Sequence, residues 1–126
     1  MSLYVSRNAA IKIGGRETLT ITEHFNGTVW SVGGELNVGR QQATAIGLEN
    51  AAMAMGGPGS PGLFANNTCT EHYDGSTWTV AAARITANSR MSGFGTQNEA
   101  AIVGGTTDWD NTEHFDGTAW SVGVAT

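Results

Sequence analysis

The sequence predicts an all-β fold, a β-propeller, because one short motif recurs three times and because each copy carries the turn signals of consecutive hairpins. The motif is Thr-Glu-His followed by an aromatic residue, then Asp-Gly or Asn-Gly, and then a tryptophan. Its copies lie at 22–30, 70–78 and 112–120, and a Gly-Gly pair precedes each of them. A motif that recurs in this way indicates one supersecondary unit used three times.

The spacing of the repeat places one long surface loop. Trp30 and Trp78 are 48 positions apart, whereas Trp78 and Trp120 are 42 apart. The six extra residues follow the second Gly-Gly pair, within the segment 58–68. Because a packed strand cannot absorb such an insertion, this segment is predicted to be a loop.

Two kinds of hairpin are predicted in each unit. The Asn-Gly or Asp-Gly pair at 26–27, 74–75 and 116–117 separates two β-prone runs, so we expect a type I′ turn, which needs positive φ at both central residues. Another hairpin is expected to join 43–47 to 51–55 through a three-residue turn at 48–50, with its counterpart at 91–95, 96–98 and 99–103. Four strands joined as consecutive hairpins form a propeller blade. No segment shows convincing helical periodicity.

The order of the motif residues resembles the kelch repeat. It runs from Arg40 through a small-residue strand to Gly56-Gly57, then to Glu71-x-Tyr73-Asp74 and to Trp78. More closely, it resembles the compact kelch-like blades, related to the galactose oxidase central domain, that recur in bacteriophage and environmental sequences. The resemblance covers the whole chain and implies a propeller in which the first strand of each blade faces the central channel.

The repeat divides the chain into three four-stranded blades, at about 1–36, 37–84 and 85–126, with the innermost strand of the first blade at 2–5. Propellers typically need four to eight blades, so three cannot close a ring. We expect a homodimer that shares one six-bladed ring, in which blade three of each chain packs on blade one of the other. A fragment of a longer chain and another stoichiometry are the alternatives.

Lys12 is the one feature that hints at the seam between two subunits. Its repeat mates, Ala54 and Ile102, are apolar. Either its stem extends along the sheet and takes the ammonium to solvent, or the charge makes a contact across the subunit boundary.

Composition excludes several classes of partner. The net charge is −5, and the six Lys and Arg residues are scattered, which argues against nucleic acid. No apolar run approaches the roughly 20 residues of a membrane-spanning helix. The chain enters a strand without a secretory signal, so we expect cytoplasmic synthesis, and the phage resemblance implies a virion-associated location. Cys69 is the single cysteine and is expected to be a buried or loop thiol.

The repeated residues are predicted to be structural. The three histidines lie in separate blades, too far apart to converge on a metal ion, and the three glutamates are expected to accept backbone N–H bonds near the Gly-Gly turns. The tryptophans are expected in the core between blades. We therefore expect no catalytic residue, metal or cofactor, since neither a copper radical oxidase nor a sialidase constellation is visible. The structural set is Gly14, Gly15, Glu23, His24, Trp30, Gly56, Gly57, Glu71, His72, Trp78, Gly104, Gly105, Glu113, His114 and Trp120.

Ligand-binding candidates lie on the loops that vary between blades, at 16–20, 58–68 and 106–110. Trp109 could stack on a sugar ring between two aspartates, or it could cap the adjacent blade edge. We expect a non-enzymatic binding or structural module that recognises a protein or a glycan through these loops. A lectin with repeated pockets between blades is the alternative. The candidate residues are Arg16, Leu63, Phe64, Asp108, Trp109 and Asp110.

Overall fold

The computed structural model describes residues 9–15, 20–57, 68–106 and 108–125. All regular secondary structure in these residues is β, which confirms the all-β class, and they contain no helix long and apolar enough to cross a membrane. The strands are β1 (Ala10–Ile13), β2 (Thr22–Phe25), β3 (Trp30–Val32), β4 (Thr44–Leu48), β5 (Ala51–Met55), β6 (Thr70–Tyr73), β7 (Trp78–Ala81), β8 (Ser92–Thr96), β9 (Glu99–Val103), β10 (Thr112–Phe115) and β11 (Trp120–Val122).

The strands form three antiparallel sheets in which chain order is also spatial order. Sheet 1 contains β1–β3, sheet 2 contains β4–β7 and sheet 3 contains β8–β11. Sheets 2 and 3 thus have the four strands that the repeat predicts. The fourth strand predicted for the first unit, at 2–5, lies outside the described residues. The first strands of sheets 2 and 3, β4 and β8, pack side by side.

The turns at the Asn-Gly and Asp-Gly pairs differ from the prediction. Four-residue loops join the strands, because Phe25 pairs with Trp30 and the other two repeats pair in the same way. Within each loop only the glycine has a positive φ, with values of 99°, 98° and 98° at Gly27, Gly75 and Gly117. A type I′ turn needs two such residues, so that prediction is wrong.

The residue before each glycine caps the loop with its own side chain instead. Asp74 Oδ1 accepts hydrogen bonds from the N–H groups of Ser76 and Thr77, both at 2.8 Å. Asn26 and Asp116 make the same pair of bonds in their loops. A short polar side chain that satisfies backbone donors in this way replaces the second left-handed residue.

The other predicted hairpins are present with shorter turns. Leu48 still pairs with Ala51, and Thr96 still pairs with Glu99. The turns are therefore the two-residue segments 49–50 and 97–98. The three-residue turns predicted there are wrong by one residue, because each strand continues one pair further.

Two hydrophobic clusters hold the sheets together, and both faces of sheet 2 are buried. In β5, alternate side chains point to opposite faces. Ala52 and Ala54 join the cluster between sheets 1 and 2, which also contains Leu36, Tyr73 and Trp78. Met53 and Met55 join the cluster between sheets 2 and 3, with Met91, Ala100, Ile102, Phe115 and Trp120.

Each sheet therefore has two different faces, which we name by their repeated residues. The aromatic face carries the motif glutamate, the aromatic residue and the tryptophan: Glu23, Phe25 and Trp30 in sheet 1, Glu71, Tyr73 and Trp78 in sheet 2, and Glu113, Phe115 and Trp120 in sheet 3. The histidine face carries the motif threonine and histidine: Thr22 and His24, Thr70 and His72, and Thr112 and His114. At both internal junctions the aromatic face of one sheet packs on the histidine face of the preceding sheet.

The loop caps predict an acid-sensitive part of the stability. The N–H groups of Thr77 and Ser76 lower the pKa of Asp74, and those of Ala119 and Thr118 lower the pKa of Asp116. A carboxylate whose folded pKa is depressed stabilises the fold above its unfolded pKa, and this contribution is lost as the pH falls through the folded value. We expect the double variant Asp74→Asn/Asp116→Asn to keep the caps, as Asn26 does, and to lose less stability on acidification.

The measurement is urea unfolding between about pH 2 and pH 6 for the wild type and the variant. The matched control is Asn26→Asp, which adds a third titrating cap and should steepen the acid dependence. Parallel pH profiles for all three proteins would contradict the caps.

Candidate functional site

Glu71 is the most completely bound carboxylate in the described residues, and it is fully buried. Its Oε2 accepts from the backbone N–H of Asn37 at 2.7 Å and from Asn37 Nδ2 at 3.0 Å. Its Oε1 accepts from the N–H of Val38 at 3.0 Å and from Arg40 Nη2 at 3.1 Å. The donors lie in the linker between sheets 1 and 2, which is the segment 33–43. The expected position of the donors, near the Gly-Gly turns, is therefore wrong for Glu71.

Glu113 makes the equivalent contact between sheets 2 and 3. Its Oε2 accepts from the N–H of Ile85 at 2.9 Å, and its Oε1 accepts from the N–H of Thr86 at 3.0 Å. Arg84 Nη1 lies 3.7 Å from Oε1, and both side chains are fully buried. Burial lowers the pKa of Arg84, the charge of Glu113 opposes that change, and the nearby Arg40 adds to it. All four carboxylate oxygens of the two glutamates thus accept hydrogen bonds from backbone N–H groups of the linkers.

Sequence reasoning missed the residues that bind these glutamates. Asn37 and Val38 stand seven and eight positions after Trp30, and Ile85 and Thr86 stand at the same distances after Trp78. The constant length of this part of the repeat was a signal that could have identified the linkers. These linker residues bind the glutamates through backbone N–H groups, which a sequence pattern does not show.

Glu23 differs from its repeat mates. Its partner is Lys12, whose Nζ lies 2.9 Å from Oε2, and the side chains are 34% and 55% exposed. The two residues face each other across β1 and β2, on the aromatic face of sheet 1. The charge at Lys12 thus binds within its own sheet, on the face directed away from sheet 2.

The three histidines have three different environments. His24 Nε2 lies 2.7 Å from the hydroxyl of Tyr73. The ring of His72 meets the ring of Phe115 edge-on at 5.6 Å, and burial lowers the pKa of His72. His114 is exposed. Among the described residues, no group of three or more His, Cys, Asp or Glu side chains could hold a metal ion.

The tryptophans divide in the same way. Trp78 and Trp120 are buried in the two clusters, at 6% and 7% exposure, whereas Trp30 is 52% exposed. The core position expected for Trp30 is therefore not realised within this chain. Its aromatic face is the one that no other described sheet covers.

The candidate ligand residues lie partly in described regions. Trp109 is 80% exposed, so most of its indole is open to solvent. The side-chain hydrogen bond that protonated Asp108 donates to the Asp110 carboxylate raises the pKa of Asp108. The carbonyl of Asp108 accepts from Asn88 Nδ2 at 3.2 Å, which anchors the loop. Arg16, Leu63 and Phe64 lie outside the described residues.

Clefts are open on the surface of the described residues. One, of about 440 Å³, lies between sheets 1 and 2 beside the His24–Tyr73 pair, with Gly33, Gly34 and Ser76 in its wall. Another, of about 840 Å³, lies on sheet 3 and is lined by residues that include Phe94, Ala101 and His114.

Comparison with known proteins supports the fold. No protein-family model matches the sequence, and no curated protein matches it either. The solved structure of YjhT is similar, with a TM-score of 0.75 over 95% of this chain and 49% of the YjhT chain, at 13% sequence identity. This chain thus spans about half the length of YjhT, and at that identity the similarity shows the fold alone.

The contrast between Glu71 and Glu23 gives a stability prediction. We expect Glu71→Gln to lower the free energy of unfolding by about 3 to 5 kcal/mol, because it leaves the buried Arg40 without its carboxylate. The matched control, Glu23→Gln, breaks a half-exposed pair and should cost at most about 1 kcal/mol. Urea unfolding measures both. Equal losses would contradict the structural role assigned to the buried carboxylate.

Proposed function

We propose that this chain is one half of a six-bladed, kelch-like β-propeller, that a second copy completes the ring, and that the ring is a non-catalytic binding module. The observation that carries the proposal is Trp30, which is 52% exposed where its repeat mates are 6% and 7% exposed. Val32, 79% exposed, lies on the same face as Trp30, and neighbouring exposed apolar side chains of this kind mark an interaction surface. The length of YjhT, about twice the part of it that this chain matches, supports the idea of a half.

The binding role is supported by the loop around Trp109. An exposed indole between two aspartates offers a flat apolar surface beside hydrogen-bond acceptors. Aromatic side chains of this kind dominate recognition surfaces. The motif carboxylates of sheets 2 and 3 are already engaged in holding the linkers, which favours binding over catalysis. We propose a protein or a glycan as the ligand, and the resemblance to phage blades favours a part associated with a virion.

A lectin with pockets between blades is the second candidate. The cleft between sheets 1 and 2 favours it, because a tyrosine hydroxyl and a histidine meet there at 2.7 Å beside three glycines. Such a concave site with a few convergent polar groups suits a small polar ligand.

The ring predicts the mass of the particle in solution. Light scattering should give about 26 kDa, twice the 13.1 kDa of one chain. A stable particle with the mass of one chain would contradict the ring. A larger assembly would favour another stoichiometry.

The loop predicts the location of binding. On a glycan array, Trp109→Ala should reduce the signal of the wild type at least about 10-fold, because it removes the stacking surface. Leu48→Ala is the matched control. Leu48 is an exposed apolar residue beside the β4–β5 turn, and this turn lies at the opposite end of the strands from the loop that carries Trp109. A signal that survives Trp109→Ala and is lost in His24→Ala would support the lectin instead.

A further inference from the structure

We propose that the two copies meet in the same register as two sheets within one chain. The aromatic face of sheet 1 seats on the histidine face of sheet 3 of the second copy. There the Trp30 N–H donates to Thr112 Oγ1, and the Phe25 ring contacts His114. This inference rests on the proposed ring and specifies its seam.

The junction between sheets 1 and 2 supplies the template. Trp78 Nε1 donates to Thr22 Oγ1 at 2.9 Å, and the Tyr73 hydroxyl lies 2.7 Å from His24 Nε2. A tryptophan from the aromatic face therefore binds the motif threonine of the preceding sheet, while the neighbouring aromatic ring meets the motif histidine.

The junction between sheets 2 and 3 keeps the ring contact and changes the hydrogen bond. His72 meets Phe115 edge-on. The hydroxyl of Thr70 donates to the carbonyl of Ala82 at 2.7 Å, and the buried Trp120 Nε1 has no hydrogen-bond partner among the described residues. A phenylalanine thus takes the place that Tyr73 occupies at the first junction.

The histidine face of sheet 3 copies that of sheet 1. Gly33 and Gly123 hold equivalent places, and a Cβ there would lie 2.6 Å from His24 Nε2 and 2.9 Å from His114 Cε1. Each glycine thus lies directly against the motif histidine ring, facing Nε2 and Cδ2 of His24 in sheet 1 and Cε1 and Nδ1 of His114 in sheet 3. Sheet 2 has Ala81 at this position.

Thr112 provides an observation that the single chain leaves unexplained. Its hydroxyl is buried but has no hydrogen-bond partner in the described part of the chain. Its repeat mate Thr22 accepts a tryptophan N–H. A buried hydroxyl without a partner is costly, and an incoming tryptophan N–H would satisfy it.

The aromatic face of sheet 1 already has the geometry of the faces that fill the internal junctions. The rings of Phe25 and Trp30 are 5.2 Å apart at 34°. Those of Phe115 and Trp120 are 5.1 Å apart, also at 34°. The open cleft of about 840 Å³ on sheet 3, beside His114, offers room for such a pair of rings.

A second copy is the occupant that both outer faces fit. One face presents the aromatic pair, and the other presents the threonine, histidine and glycine that receive such a pair at the first internal junction. A two-fold axis forms this contact twice, because sheet 1 of each copy meets sheet 3 of the other. Neither outer face is then left uncovered.

The test is a gain of affinity. Phe25→Tyr recreates the tyrosine–histidine pair of the first junction, with His114 in the place of His24. One added hydrogen bond should tighten the dimer Kd roughly 5-fold per seam, or about 25-fold for two seams, in sedimentation equilibrium. In the His114→Ala background the same substitution should give no gain, which a double-mutant cycle measures.

A second variant tests the other contact. Thr112→Val keeps the shape and removes the acceptor, so it should weaken the dimer, while the monomer, which loses a buried hydroxyl without a partner, should unfold no more easily than the wild type. If Phe25→Tyr has the same effect with and without His114, or if Thr112→Val leaves the Kd unchanged, the seam is overturned and the ring stands. A chain that stays monomeric at every concentration overturns the ring itself.

Discussion

Both internal junctions depend on a buried carboxylate that holds the linker between two sheets. Glu71 binds the linker that leaves sheet 1, and Glu113 binds the linker that leaves sheet 2, in each case through two consecutive backbone N–H groups. A buried charge is costly unless every lone pair is used. Because the donors are backbone groups, the bonds fix the path of the chain and with it the position of one sheet on the next. In this placement the aromatic face of one sheet packs on the histidine face of the preceding sheet.

At equivalent positions of the repeat, a hydrogen bond can be kept even where the residue type differs. Arg40 and Asn88 stand 48 positions apart, and each donates to the carbonyl of the first glycine of a Gly-Gly pair, Gly56 and Gly104 respectively. The cation of the second junction comes instead from Arg84, whose repeat mate is the buried Leu36. The backbone follows the repeat more closely, since Gln42 and Arg90, also 48 positions apart, both have a positive φ near 55°.

The sequence predicted the strands well because their signals are local. Turn residues and β-prone runs bracket every strand, so the all-β class and the order of the hairpins could be derived from the repeat. The turn types could not, because Asn26, Asp74 and Asp116 satisfy the loop with a side-chain oxygen, which competes with the backbone geometry that Asp-Gly usually indicates. The candidate site was harder still. The motif has a tryptophan at the same position in all three copies: Trp30, Trp78 and Trp120. Whether each side chain is buried depends on whether another sheet packs on its face, which the motif does not encode.

A carboxylate on the aromatic face needs a donor. In sheet 1 no described linker reaches the motif glutamate, and Lys12 supplies the donor instead. Glu23 stands on the aromatic face as Glu71 and Glu113 do, but its carboxylate binds an ammonium from the neighbouring strand. If Lys12 were apolar, like Ala54 and Ile102, covering this face would bury Glu23 without the ammonium that it binds here, at a cost of several kcal/mol. A half-exposed pair costs little in a single chain. Under the proposed ring the same pair lets the face be covered, because the carboxylate brings its counter-charge with it. Under that proposal, Lys12 is the residue that allows the aromatic face of sheet 1 to be exposed in a single chain and covered in the ring.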